Sequence, residues 1–231
     1  MRKLLVIIAL ASMLPVAGIR LRSEDGAGAG EVSLDSRVRK FLDDTRSTWR
    51  DMNVPEVDGQ ALYDIILEHK CKDALEIGTS TGYSGIWIAW ALSKTGGKLV
   101  TVEIDPRRRD EAVANFRRAG LDKFVDARLG DAHTIVPALE GPWDFVFCDA
   151  DKEWYTQYLK ATVDKIRPGG CFVAHNVFEG SAWGFGGRAM GRGGMTGDYL
   201  EFARSLPELE TKVLDLRGSG GLAVSIKKAA P

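Results

Sequence analysis

The chain has 231 residues, 45% of them hydrophobic, with 31 basic and 32 acidic side chains and a formal net charge of −1. This composition describes one globular domain, and the absence of a long Lys/Arg run excludes a conventional duplex-binding surface, so we expect no nucleic-acid partner. Three scattered cysteines (Cys71, Cys148 and Cys171) exclude a disulfide scaffold and a Cys-x-x-Cys metal site, and we expect buried thiols.

The N-terminal residues 1–18 have a short cationic start, an almost wholly apolar stretch and a small-residue site. This layout predicts a secretory signal peptide and hence a secreted or periplasmic protein. The alternative is an uncleaved membrane anchor, which is the only basis for a membrane partner. Residues 19–33 are predicted to be a flexible linker, because SEDGAGAG within them has nothing apolar to bury. We expect the folded domain at 34–231.

From residue 35 onward, short apolar runs alternate with stretches of helical period, which predicts βαβ units and a parallel sheet. The predicted helices are 34–50, 58–69, 83–94, 106–120, 152–165 and 198–205, with another starting at His133. The predicted strands are 74–77, 99–103, 124–129, 143–148, 171–174, 212–216 and 222–227. Residues 167–170 are predicted to form a turn, and residues 178–197 a glycine-rich loop.

Ligands of such sheets bind outside the carboxyl ends of the strands. The turn after the first predicted strand has the spacing Gly-x-x-x-Gly-x-x-Gly from Gly78 to Gly85, which differs from the dinucleotide pattern Gly-x-Gly-x-x-Gly. It permits close approach of a ligand, or it serves close packing of helix on strand. Glu76 beside it disfavours a pyrophosphate and favours a cationic sulfonium ligand.

Two further acidic side chains follow predicted strands. Glu103 can accept the hydroxyls of a ribose, or it can be a solvated helix-capping acid. Asp131 can accept from an adenine amino group, cap the helix starting at His133, or do both.

Six ordered stretches resemble the cation-dependent O-methyltransferases, the caffeoyl-CoA and catechol group, over residues 35–228. They are MNV with GQ (52–60), LEIGTSTGYS (75–84), VEID (102–105), GDA (130–132), DADKxxY (149–155) and RPGG (167–170). The resemblance implies a Rossmann-like, seven-stranded, mostly parallel sheet with an antiparallel last strand and helices on both faces. It also implies S-adenosylmethionine as methyl donor, a divalent cation that binds two adjacent oxygens of a small acceptor, and a homodimer.

Carried over by position, the resemblance also implies the roles of single residues. The cofactor-binding residues would be Val54, Glu76, Gly78, Thr79, Ser84, Glu103, Asp131 and Ala132. The metal ligands would be Asp149, His175 and Asn176, and the general base would be Lys152.

His175 departs from the family, which has an aspartate there. An imidazole ligand suits Mg²⁺ and Ca²⁺ poorly and suits Mn²⁺, Fe²⁺, Co²⁺ or Zn²⁺ better, so we expect a shifted metal preference. The alternative is that His175 only packs at the strand end and that Asp149 and Lys152 act without a cation. Glu179 replaces a family tryptophan over the acceptor ring, which predicts a different acceptor.

The loop from Glu179 carries two aromatic and two cationic side chains, Trp183, Phe185, Arg188 and Arg192. They suit a mobile lid for an anionic acceptor, and equally a plain connection. His69 and His133 are interpreted as ordinary surface or capping residues, and the arginines at 107–109 as a solvated helix face rather than a phosphate clamp.

The function predicted is methyl transfer from S-adenosylmethionine to a hydroxyl of a small catechol-like or vicinal-oxygen acceptor. The alternative is a nucleoside- or S-adenosylmethionine-binding module, or a degenerate, metal-independent methyltransferase. A nicotinamide oxidoreductase is disfavoured by the glycine spacing and by Glu76.

Overall fold

A computed structural model describes residues 32–49, 52–177 and 196–229. The predicted signal peptide at 1–18 lies outside the described residues, as does the predicted linker apart from Val32 and Ser33. The predicted lid residues and Glu179 also lie outside them. Within the described ranges, no helix combines the length and apolarity needed to cross a bilayer.

One sheet holds all the strands of the described residues. In chain order they are β1 (Asp73–Ile77), β2 (Lys98–Glu103), β3 (Val125–Leu129), β4 (Trp143–Cys148), β5 (Ile166–His175), β6 (Leu209–Leu214) and β7 (Leu222–Lys227). Their spatial order is β3-β2-β1-β4-β5-β7-β6. Strands β1 to β5 pair in parallel, and β7 is antiparallel to both of its neighbours. The predicted seven-stranded sheet with a reversed last strand is confirmed.

Helices cover both faces of this sheet, as predicted. They are α1 (Leu34–Thr45), α2 (Glu56–Glu68), α3 (Tyr83–Thr95), α4 (Pro106–Ala119), α5 (Ala132–Ala138), α6 (Tyr155–Thr162) and α7 (Gly197–Ser205). Alternate residues of β4 point to opposite faces, so Phe145 and Phe147 pack with α1 to α4, while Val146 and Cys148 pack with α5 to α7. Because both faces of this central strand are buried, its sequence is an almost continuous apolar run.

Helix α4 begins and ends where the sequence predicts. Pro106 occupies its first turn, where a missing N–H costs nothing, and the Asp105 carboxylate accepts the Arg107 N–H at 2.8 Å. Gly120 ends the helix with φ +78°, a conformation that favours glycine. Local capping chemistry is sufficient to set both ends.

Other predicted boundaries were wrong where tertiary contacts intervene. Helix 34–50 ends at Thr45, beyond which Trp49 leaves the helical path and packs against Tyr83 with ring centroids 4.9 Å apart. The predicted helix 152–165 is α6 flanked by two single 3₁₀ turns. Strand β6 begins three residues earlier than predicted.

Residues 167–170, predicted as a turn, are an irregularity inside β5. The pairing of β4 with β5 jumps from Trp143 opposite Ile166 to Phe145 opposite Cys171, so four residues of β5 bulge from the ladder. Gly169 within this bulge has φ +83°. The three cysteines are buried free thiols, as predicted.

Candidate functional site

The carboxyl ends of β1 to β5 open onto a cavity of about 690 Å³. Its walls include eight of the residues that the resemblance selects: Gly78, Glu103, Asp131, Ala132, Asp149, Lys152, His175 and Asn176. These residues come from five separate strand ends, and only the parallel sheet brings them to one edge.

The sequence left two purposes open for the glycine turn after β1, close approach of a ligand and close packing, and the geometry of the turn suits both. A Cβ on Gly78, which has φ +94°, would lie 2.5 Å from the backbone oxygen of Asp149, so glycine is required for β1 and β4 to approach. Gly78 and Ser80 also line the cavity, and Ser80 has φ +48°. The turn therefore packs closely on β4 and exposes backbone to a ligand.

Glu103 is fixed in the cavity wall by backbone groups. Its Oε2 accepts the Ser80 N–H at 2.7 Å, and its Oε1 accepts the Asp105 N–H at 3.0 Å. Asp105, not Glu103, caps α4. Each carboxylate oxygen can accept more than one hydrogen bond, so Glu103 retains capacity for the hydroxyls of a ligand.

Glu76 lies behind the wall of the cavity. Its carboxylate is completely buried and accepts hydrogen bonds from Ser84 Oγ and Thr101 Oγ1, each at 2.6 Å. Burial raises the pKa of Glu76 to about 7, because the two hydroxyl donors only partly offset the loss of water. Three other residues predicted to bind the cofactor, Val54, Thr79 and Ser84, are also buried. Like Glu76, they are not among the residues that line the cavity in the described part of the chain.

Asp131 caps α5, which is one of the two roles that the sequence left open. Its carboxylate accepts the His133 N–H at 2.9 Å and so caps α5, and it also lines the cavity.

His133, interpreted from the sequence as an ordinary surface or capping residue, lines the cavity too. Its ring stacks on Trp154 with centroids 3.7 Å apart, and its Nε2 lies 3.0 Å from Asp151 Oδ2. Its position directly after the GDA stretch was the available signal.

Asp149, at the end of β4, lies between two basic side chains, those of Lys152 and His175. Lys152 Nζ donates to Asp149 Oδ1 at 2.8 Å, donates to the Tyr155 hydroxyl, and reaches the backbone oxygen of His175 at 3.3 Å. Burial alone would raise the pKa of Asp149, but His175 and Lys152 together hold it well below its usual value. Asp149 is therefore a permanent anion at neutral pH.

His175, at the end of β5, lies between two carboxylates. Its Nε2 is 2.9 Å from Asp58 Oδ2, and its Nδ1 is 3.0 Å from Asp149 Oδ2. Burial lowers the pKa of His175, but Asp149 and Asp58 outweigh that effect and raise it to about 9. Asp58 lies on α2, 117 positions earlier in the chain, and no spacing in the sequence points to it.

One observation is consistent with a cation at the predicted metal ligands: two of their buried side-chain atoms lack hydrogen-bond partners. Among the described residues, His175 Nδ1 and Asn176 Oδ1 have no hydrogen-bond partner. His175 Nδ1 lies 3.0 Å from Asp149 Oδ2, close enough for both atoms to ligate one ion. Within the described ranges, no group of three or more His, Cys, Asp or Glu side chains is placed to hold a metal ion. The predicted set has only two such side chains, and its third member is the amide of Asn176.

A sequence model of the O-methyltransferase family matches residues 31–184. A catechol O-methyltransferase of Niastella koreensis is 46% identical over 114 residues, which cover 48% of this chain and 51% of that protein. A caffeoyl-CoA O-methyltransferase of Medicago sativa is 30% identical over 135 residues, covering 56% of this chain and 54% of that protein. The chain thus spans about half the length of these relatives.

Solved structures of the same kind share the fold. The O-methyltransferase TomG from Streptomyces achromogenes, in complex with SAM, has a TM-score of 0.70 at 27% identity and covers 86% of this chain and 92% of its own. An O-methyltransferase from Bacillus cereus, in complex with SAH, has a TM-score of 0.69 at 28% identity, covering 84% and 91%. By its fold and its match over 31–184, this chain belongs to the O-methyltransferase family.

Proposed function

We propose that this chain transfers the methyl group of S-adenosylmethionine to a hydroxyl of a small, catechol-like or vicinal-oxygen acceptor. The observation that carries the proposal is the common cavity, which Glu103 and Asp131 line together with Asp149 and Lys152. Named relatives support it, since they include catechol and caffeoyl-CoA O-methyltransferases. The SAM-bound TomG structure supports the choice of donor.

The donor is assigned to the ends of β1 to β3. Glu103 takes the ribose hydroxyls with the oxygen capacity that its two backbone contacts leave, and Asp131 takes the adenine amino group. Acidic side chains also offset the positive charge of the sulfonium, since Glu103, Asp131 and Asp151 line the cavity.

The acceptor is assigned to the ends of β4 and β5. Asp149, His175 and Asn176 would hold a divalent cation, which when bound favours ionisation of a nearby hydroxyl. With a divalent cation bound beside it, Lys152 would be held as the neutral amine and would take the hydroxyl proton, and the acceptor oxygen attacks the methyl carbon as the carbon–sulfur bond breaks toward sulfur. Holding the two reactants in line supplies most of the acceleration, because both are intrinsically reactive.

A methyl-transfer assay on a panel of catechols and their monohydroxy analogues tests the proposal. Each acceptor is incubated with S-adenosylmethionine and Mg²⁺, Mn²⁺, Fe²⁺, Co²⁺ or Zn²⁺. We expect products only from acceptors with adjacent oxygens, and a preference for the later metals that shifts toward Mg²⁺ in His175→Asp.

Lys152→Met tests the proton transfer, with Lys160→Met on the exposed face of α6 as the matched control. We expect loss of turnover without loss of donor binding in the first variant and no change in the second. If calorimetry detects no binding of S-adenosylmethionine to the purified chain, the proposal is wrong. Tight donor binding without product would instead identify a binding module.

A further inference from the structure

Asp58 is a buried carboxylate that no predicted role uses. It lies in the first turn of α2 and has no exposed surface. Such a group is costly to bury without a partner. Its Oδ2 is 2.9 Å from His175 Nε2, whereas its Oδ1 has no hydrogen-bond partner among the described residues. Contact with His175 is therefore the interaction that accounts for its burial.

The position of Asp58 is fixed by the packing of α2 on α3. A Cβ on the neighbouring Gly59 would overlap the ring of Trp87 on α3, so the two helices approach as closely as a glycine allows. The first turn of α2 also suits a negative charge, because the helix dipole is positive there. The carboxylate is thus held rigidly behind His175, on the side away from Asp149.

This contact decides which ring nitrogen of His175 carries the proton in the neutral imidazole. An ionised carboxylate only accepts hydrogen bonds, so Nε2 must be the donor. The lone pair then lies on Nδ1, the atom that faces Asp149 Oδ2 at 3.0 Å. Nδ1 is off the line of a hydrogen bond to that oxygen and has no partner among residues 32–49, 52–177 and 196–229.

We propose that Asp58 is a positioning residue that holds His175 in the Nε2–H tautomer and so makes Nδ1 a ligand for a first-row transition-metal ion. This inference rests on the proposed function only for the assignment of Asp149, His175 and Asn176 as the metal site. A carboxylate behind a metal-binding imidazole orients the ring and increases its basicity, and loss of such a partner typically costs about 10- to 100-fold in metal affinity.

Nitrogen NMR of the histidine rings tests the tautomer directly. The chain has three histidines, so ¹⁵N-histidine labelling gives few signals to assign. With saturating Zn²⁺ we expect His175 to show a protonated Nε2 and a metal-shifted Nδ1. A ring that stays doubly protonated, or one coordinated through Nε2, overturns the proposal without any mutation.

Zn²⁺ affinity measured by competition with a chelating dye tests the role of Asp58. We expect Asp58→Asn to weaken Zn²⁺ binding about 10- to 100-fold, because the amide can donate to Nε2 and favour the other tautomer. Asp58→Glu restores the carboxylate, and we expect it to recover most of the affinity. Asp64→Asn, the same change on the exposed side of α2, is the matched control and should bind as the parent does.

These readouts are separate from methyl transfer. If the tautomer and the Zn²⁺ affinities are as expected but the chain methylates no acceptor, the role of Asp58 is supported and the proposed function fails. Equal Zn²⁺ affinity in the Asp58→Asn and Asp64→Asn variants, in a chain that does methylate catechols, would leave the function standing and overturn the role of Asp58.

Discussion

In the β1–β3 half of the cavity wall, both oxygens of Glu103 accept backbone N–H groups, whereas in the β4–β5 half the oxygens of Asp149 face the basic side chains of Lys152 and His175. The first half is preorganised by the chain itself, because backbone donors need no partner of opposite charge. The second half is an assembly of charges that depend on one another. Both halves hold buried side-chain atoms without a hydrogen-bond partner among the described residues: Ser80 Oγ in the first, and His175 Nδ1 and Asn176 Oδ1 in the second.

The buried carboxylates of the two halves show how neighbours decide the outcome of burial. Glu76 has two hydroxyl donors and takes part in no ion pair among the described residues, and burial raises its pKa to about 7. Asp149 is also buried, yet His175 and Lys152 hold its pKa well below the usual value. Burial dominates where the donors are neutral, and Coulomb attraction dominates where they are charged.

The comparison predicts the largest effect for Asp149→Ala. The change removes the anion between Lys152 and His175, so we expect kcat/KM for methyl transfer to fall at least about 10³-fold, while the affinity for S-adenosylmethionine changes little. Steady-state kinetics and calorimetry check the two quantities. Asp126→Ala, at an exposed carboxylate of β3, is the control. An equal loss of donor affinity in Asp149→Ala would show that the two halves are not separable.

Glu76→Gln is expected to remove part of the pH dependence of stability. The folded state keeps the Glu76 proton up to about pH 7, whereas the unfolded chain releases it near its ordinary, lower pKa. The parent protein therefore loses stability as pH rises through that window, by up to about 3 kcal/mol at roughly 1.4 kcal/mol per pKa unit. Urea unfolding of both proteins from pH 4 to 8 measures the difference. Parallel curves for the two proteins would contradict the raised pKa.

Because β1 and β4 approach closely at Gly78, we expect Gly78→Ala to lower the free energy of unfolding by more than its positive φ alone would. Gly96 provides the control, because it has φ +75° and nothing within 4 Å of an added Cβ. Both substitutions carry the left-handed penalty of about 1–2 kcal/mol. Only Gly78→Ala also meets the Asp149 backbone, and we expect about 2 kcal/mol more loss in its free energy of unfolding. Equal losses would mean that β1 and β4 move apart freely.

Glu103→Gln is expected to have the smallest effect, a roughly tenfold weaker binding of S-adenosylmethionine, since one charge-assisted hydrogen bond is worth about 1.5 kcal/mol. Calorimetry without added metal measures it. Glu76→Gln sharpens the comparison, because Glu76 lies behind the wall and its replacement should change donor affinity less. A larger effect at Glu76 would assign the sulfonium's counter-charge to the buried carboxylate instead.

Much of this architecture could be read from local patterns. The alternation of apolar runs with helical periods predicted the sheet and its helices, and Asp105, Pro106 and Gly120 predicted the ends of α4 because capping depends on adjacent residues. The end of α1 and the bulge in β5 could not be predicted. They depend on the packing of Trp49 on Tyr83 and on pairing with β4, both distant in sequence.

By itself, the sequence determined which residues follow the ends of the parallel strands, and therefore which side chains meet at one edge of the sheet. Tertiary structure alone decided their surroundings. It placed Glu76 behind the cavity wall, brought His133 into the cavity, and set Asp58 against His175 across 117 positions. The physical reason is that the positions of strands along the chain follow from local periodicity, whereas burial and charge pairing depend on how separate helices pack on the sheet.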